Sequence, residues 1–200
     1  MTDTPALGTR ERLIAAMTDA LRRRGLHGIG LTELLAQAGA PKGVLYHHFP
    51  GGKTELAVAA IDDVVARMLG WLDGLLAKES DPIEAARQWM QGATQRLSST
   101  GFHAGCPLAT VALESSPDDH ALREALARAF ATLRERIALA LEQAGEPRES
   151  ARGVAALIVA TYEGGLLQAR VAHSTEPIQQ AVQTLLGLLA ARRPRGTGAA

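Results

Sequence analysis

Four side chains able to meet an anion crowd into one short segment: Lys42, Tyr46, His47 and His48. They bring together an ammonium, a phenol hydroxyl and two imidazoles. Each can hold a phosphate oxygen, and Gly43 among them lets the backbone come close. Lys53 follows, just after Pro50-Gly51-Gly52. It falls in the first turn of the next expected helix, where the macrodipole disfavours a cation by up to about 1 kcal/mol. A nearby phosphate would reverse that sign. The competing reading is a small three-helix bundle with ordinary solvated polar residues, and the position of Lys53 weighs against it.

The flanking pattern says what would hold these groups. Thr32 is expected to cap a helix whose apolar face is Leu34, Leu35 and Ala38. Gly39, able to take a positive φ, ends that helix. Pro41 suits the first turn of a second helix, which Val44, Leu45, Tyr46 and Phe49 carry to Pro50. Two helices joined by a short glycine-containing turn form a helix-turn-helix, which sets its second helix in the major groove of DNA. Upstream, residues 1–8 read as a disordered arm. Thr9 is expected to cap a supporting helix that runs to about Arg24 and buries Leu13, Ile14, Met17, Ala20 and Leu21. Arg22, Arg23 and Arg24 complement the dipole at its end. They read equally as a solvated basic turn or as a DNA contact.

The run Ala38-Gly39-Ala40-Pro41-Lys42-Gly43-Val44-Leu45-Tyr46-His47-His48-Phe49, followed by Lys53, resembles the DNA-binding domain of the TetR family of transcriptional regulators. The usual pattern there is close to AGV-[SP]-KG-[ST]-LYHHF and then a lysine. The chain departs from it at Val44, where the family has a hydroxyl; a valine can instead touch a thymine methyl. A second run, Gly105-Cys106-Pro107-Leu108-Ala109 into Val111-Ala112-Leu113-Glu114, completes the picture. With Pro50-Gly51-Gly52-Lys53 it resembles the branch of lincomycin-resistance and flavonoid-responsive repressors.

The resemblance implies an all-α chain of about nine helices. Residues 1–51 would form a three-helix helix-turn-helix DNA-binding domain and residues 52–200 a helical ligand-binding and dimerisation domain. It further implies a repressor, not an enzyme, that leaves its operator when a small apolar or aromatic effector enters the larger domain. The DNA-binding set is then Thr32, Lys42, Gly43, Val44, Tyr46, His47 and Lys53. Two alternatives stand beside this reading: a constitutive DNA-binding protein without an effector, and an apolar-ligand binding protein.

The bulk properties agree. With 200 residues, 46% hydrophobic and 21% charged, the chain is long enough to bury a core and too apolar to be disordered. Its net charge is zero, but unevenly spread. Up to Lys53 there are seven Lys/Arg against four Asp/Glu, a net +3; the remainder has fourteen against seventeen, a net −3. A basic head on an acidic body is the footprint of a local DNA contact. The start MTDTPALGTRER lacks the order of a secretory signal, and no apolar run is long enough for a membrane span, so a cytoplasmic location is expected. The tail RRPRGTGAA reads as frayed.

In the body, a helix from Gly52 to about Lys78 is the natural lever between the two halves. Others are expected over Pro82 to Leu97, Cys106 to Glu114, Asp118 to Gln143, Glu146 to His173 and Pro177 to Arg192. Gly164 and Gly165 each cost about 1 kcal/mol mid-helix relative to alanine, which calls for close approach by another helix. With Val182, Leu185, Leu186 and Leu189 they mark a four-helix homodimer interface, and hence a roughly palindromic operator. Completion of a monomer core is the other reading. Met68, Trp71, Leu72, Trp89, Met90, Leu97, Phe102, Cys106, Leu113, Phe130 and Tyr162 are singly core residues. As a set they could line a pocket for a flat apolar ligand. Glu114 and Glu163 could give it a polar handle. Cys106, at a helix N-terminus, is either a packing residue or a redox sensor. The scattered histidines suggest no metal site, and no phosphate-cradling or nucleophile motif appears, so no cofactor is expected.

Overall fold

The computed structural model describes residues 7–192. Of the arm expected over 1–8 and the tail expected over 192–200, all but Leu7, Gly8 and Arg192 lie outside the described residues. Among those described, nine helices and their loops make up the chain. They are α1 (Thr9–Arg23), α2 (Leu31–Ala38), α3 (Lys42–His48), α4 (Gly52–Leu76), α5 (Pro82–Ser99), α6 (Pro107–Glu114), α7 (His120–Gln143), α8 (Arg148–Ala172) and α9 (Glu176–Arg192). No described helix is long and apolar enough to cross a membrane.

The helices group into two compact units that are not consecutive in sequence. Unit 1 comprises the residues up to 70 together with 103–133; unit 2 comprises 71–102 together with the residues from 134 on. These units divide the chain differently from a cut at 51/52. The first turns of α7 and the whole of α6 belong with the helix-turn-helix.

In unit 1, α1 buries Leu13, Met17 and Leu21 completely, at the i, i+4, i+8 spacing of one helical face. Leu34 of α2, Leu45 of α3 and Phe49 are buried in the same unit. The helix starts differ from expectation at both threonines. Gly8 and Gly30 are the N-caps of α1 and α2, neither with a side-chain cap, so Thr9 and Thr32 lie inside the first turn. An N-cap must hold non-helical φ/ψ, and Gly30 does so with ψ at 150°, while Ile29 before it is buried and fixes the entry. Pro41 is likewise the N-cap of α3 and not its first turn, and Phe49 is its C-cap. Gly39 takes φ +58 and closes α2 as a left-handed cap, with Ala40 N–H donating to Leu35 O at 3.0 Å.

Helix α6 is fastened to the end of α1 at two points. Gly105 N–H donates to Arg22 O at 3.1 Å, and Leu26 N–H donates to the Glu114 carboxylate at 2.5 Å. Gly25, at φ +76, lies so close that a Cβ there would meet Glu114 Oε1 at 1.8 Å. Glycine alone fits on both counts.

In unit 2, Asp81 caps α5 by accepting from Ile83 N–H at 2.9 Å, with Pro82 in the first turn. Asp73 at the end of α4 accepts from Arg136 Nε of α7 at 2.6 Å. Helices α8 and α9 pack on each other, and Gly165 is the reason they can. A Cβ there would lie 2.7 Å from Ile178 Cγ1 of α9. The helix that approaches this glycine is the chain's own.

Candidate nucleic-acid interface

Helix α3 turns one face inward and another to solvent. Leu45 is buried and Val44 and His48 are half-buried, whereas Lys42, Gly43, Tyr46 and His47 are exposed. Thr32 on α2 is exposed too, though in the helix and not as its cap. Tyr46, at 46% exposure, rests its ring edge near Gly52, where a Cβ would come to 3.4 Å. A cation, a phenol hydroxyl and an imidazole therefore stand outward from one short helix, the arrangement that phosphate and base-edge contacts need.

Lys53 has a different partner from the one its position suggested. Its Nζ donates to Ile29 O at 2.6 Å, tying the start of α4 to the α1–α2 loop. Burial lowers its pKa, opposed by the charge of Glu114. The cation at a helix N-terminus is thus accommodated inside the protein, by a carbonyl and by a carboxylate's field. Glu114 in turn spends its carboxylate on Leu26 N–H and is not a handle for a ligand.

The apolar set of the body is brought together only in part. Trp89 is fully buried and stacks on Tyr162, with ring centroids 4.2 Å apart. Its indole Nε1 is buried without a hydrogen-bond partner. Trp71 fills the space beside Gly92 and lies under the Arg96 guanidinium at 4.2 Å. Leu72, Met90 and Leu97 are buried in the same unit, where Phe102 packs edge-on to His173 at 6.0 Å. Met68, Cys106, Leu113 and Phe130 belong to unit 1. Leu113 is 74% exposed, because α6 turns it away from α1. Phe130 lines a surface groove between α6 and α7, and Cys106 is the buried N-cap residue of α6. Trp89 and Tyr162 form a tight stack, not an open cavity.

The positions marked for a dimer interface also divide. Leu185 and Leu189 are buried within one chain, and Gly165 is occupied by Ile178, so these three serve the protomer's own core. Val182 and Leu186 are half-buried on the side of α9 that faces α5. Gly164 has open space beside it. Leu157, Leu167 and Val171 of α8 and Leu188 of α9 are apolar and exposed; Leu188 reads from the sequence as part of the apolar line of α9, but none of the four was in the set marked for the interface. With Gly164 the three on α8 recur at helical spacing, a signal hidden because α8 is apolar on several faces at once.

Two family models match the chain, one at each end of the sequence. Residues 13–60 match the model of bacterial regulatory proteins of the tetR family. Residues 82–184 match that of the LmrA/YxaF-like transcriptional regulator C-terminal domain. The chain belongs to the TetR family. Among its relatives, an uncharacterised HTH-type transcriptional regulator of Mycobacterium tuberculosis is 34% identical over 94% of this chain and 97% of its own. The HTH-type transcriptional regulator LmrA of Bacillus subtilis is 29% identical over 85% and 90%. The fold is also that of a cysteine mutant of CifR, a TetR family transcriptional regulator complexed with a 26-bp double-strand operator DNA, at a TM-score of 0.76 and 20% identity over 92% and 98%. As a TetR-family member the chain is an HTH-type DNA-binding transcriptional regulator with an LmrA/YxaF-like C-terminal domain. Its relatives are regulators and not enzymes.

Proposed function

We propose that this TetR-family regulator is a homodimeric repressor that grips a roughly palindromic operator and is released by a small apolar, aromatic effector. The outward row on α3 carries the DNA half of the reading. Lys42 and Tyr46 hold phosphates, His47 and Thr32 assist register, Gly43 allows close approach, and Val44 meets a thymine methyl. The apolar stripe Leu157, Leu167 and Val171, with Leu188 and the open flank of Gly164, supports the dimer. A face of this kind on two adjacent helices is what a four-helix interface buries. Two heads at fixed separation then require two half-sites.

For the effector, the Trp89–Tyr162 stack is the best-supported point of entry. An indole N–H buried without an acceptor costs about 1–3 kcal/mol, which a ligand carrying an oxygen acceptor would recover. Because the stack is closed, the effector must part the two rings. Helix α4, continuous from Gly52 to Leu76, would carry the change toward the reading head. The test is a mobility-shift titration on the DNA flanking its gene. Sequence-specific retention that an aromatic compound abolishes is the expected result. Retention that no compound alters would leave a constitutive binder, and no retention would overturn the reading.

A further inference from the structure

Between α5 and α9, wholly within unit 2, runs a groove of about 520 Å³, in the size range of small-molecule sites. Its floor is Ile178, fully buried, flanked by half-buried Val182 and Leu186. Its walls carry primary amides: Gln91 and Gln95 from α5, Gln179 and Gln183 from α9. Each pair is spaced i, i+4, so its amides sit above one another on one helix face. Four of the nine glutamines of the chain thus meet in one groove. That concentration selects amide chemistry over charge.

Among its described lining residues the groove also presents no free charge. Arg87 is the one ionised residue among those described in its lining, and Glu84 accepts from Arg87 Nε at 2.7 Å and Nη2 at 2.5 Å. Arg87 Nη1 donates to Gln91 Oε1 at 3.0 Å. The bonds from Arg87, with one from Gln88 Nε2 at 3.1 Å, hold the Glu84 carboxyl down to about 2, so the ion pair persists through the ordinary pH range. An ionised ligand would lose water there and gain no counter-ion. A purely apolar ligand would cover the floor and strip water from the amides without replacing it. A primary amide sets a donor beside an acceptor, which matches the edge of a ring amide with two hydrogen bonds.

We propose that the α5–α9 groove binds uncharged small molecules that carry ring amides on an apolar skeleton, the glutamine amides pairing with the ring over Ile178. The site is independent of operator binding and of the Trp89–Tyr162 stack, and its test reads neither. The full-length protein is titrated by calorimetry with the cyclic dipeptide of two leucines. Its N,N′-dimethyl derivative, which lacks N–H donors, and the linear zwitterionic dileucine serve as controls. Saturable binding of the cyclic compound is expected, with both controls weaker by about tenfold or more. The pair Gln179→Leu and Gln183→Leu should weaken the cyclic compound by a similar factor, and so should Gln91→Leu with Gln95→Leu on the opposite wall. All four side chains are exposed, so the fold should tolerate either pair. No saturation up to the solubility limit, or binding that both pairs of substitutions leave unchanged, would overturn the site.

Discussion

Helix α3 of unit 1 and helix α5 of unit 2 put their aromatic rings to opposite uses. Tyr46 stands 46% exposed beside Lys42 and His47 and supports little but itself. Trp89 is wholly buried, stacked on Tyr162 and surrounded by the core that its helix completes. A side chain of the first kind can be changed with its cost appearing almost entirely in what the protein binds. For the second kind the fold responds first, and any effect on a ligand is read through that response. The outward stripe on α8 differs from Trp89 within unit 2, since its residues are exposed like those of α3.

The largest effect expected follows from that exposed stripe. Leu167→Glu with Val171→Glu places two charges on the exposed α8 stripe without touching the protomer's core. The variant should keep its helical content and sediment as a monomer. Operator affinity should fall by about 10²–10⁴, because a single head loses the effective concentration that the second provides. Unaltered sedimentation of this variant as a dimer would put the interface elsewhere.

Next in size is Trp89→Ala, which should destabilise the protein by about 3–5 kcal/mol in denaturant unfolding, as for other large-to-small core changes. Tyr46→Phe should stay within about 0.5 kcal/mol. Equal stabilities for these two variants would erase the contrast between the helices. Trp89→Phe keeps a ring on Tyr162 but removes the unpaired N–H. It is the variant in which to look for lost effector response, since folding is then not the confounder.

Unit 1 was largely legible in the sequence because its signals are local. The run from Ala38 to Phe49 carries its turn, its buried face and its exposed polar row within a few turns of helix. Even there the caps were misread, since a threonine near a helix start looks like a cap whether or not the preceding glycine takes the extended conformation. Unit 2 was legible in its helices and not in their facing. Gly165 announces that something comes close, but only three dimensions show that Ile178 of the same chain fills the space. Leu185 and Leu189 share the hydrophobicity of Leu188, and only packing separates the buried pair from the exposed one. The Glu114–Leu26 bond joins residues 88 positions apart, beyond the reach of any periodicity.

The smallest effect is the most discriminating within unit 1, and it separates Lys42 from Lys53. Lys42 is exposed on α3, so Lys42→Ala should leave stability within about 0.5 kcal/mol. It should also make the dependence of log affinity on log salt shallower by about 0.9, the loss of one phosphate contact. Lys53 is committed to Ile29 O. Lys53→Met leaves that part-buried carbonyl without its donor, at a cost of about 1–3 kcal/mol in unfolding free energy, with the salt slope unchanged. A pH series sharpens the assignment. Burial lowers the pKa of Lys53, so its charged form is the disfavoured one in the folded state. That penalty is fully present below the lowered value and fades as pH rises from it toward the ordinary range for lysine. The wild-type advantage over Lys53→Met should therefore hold or grow on going to alkaline pH, where the neutral amine still donates to the carbonyl. If Lys53→Met instead flattened the salt slope by a full unit and left unfolding untouched, the tie to Ile29 would be incidental and Lys53 would belong to the DNA.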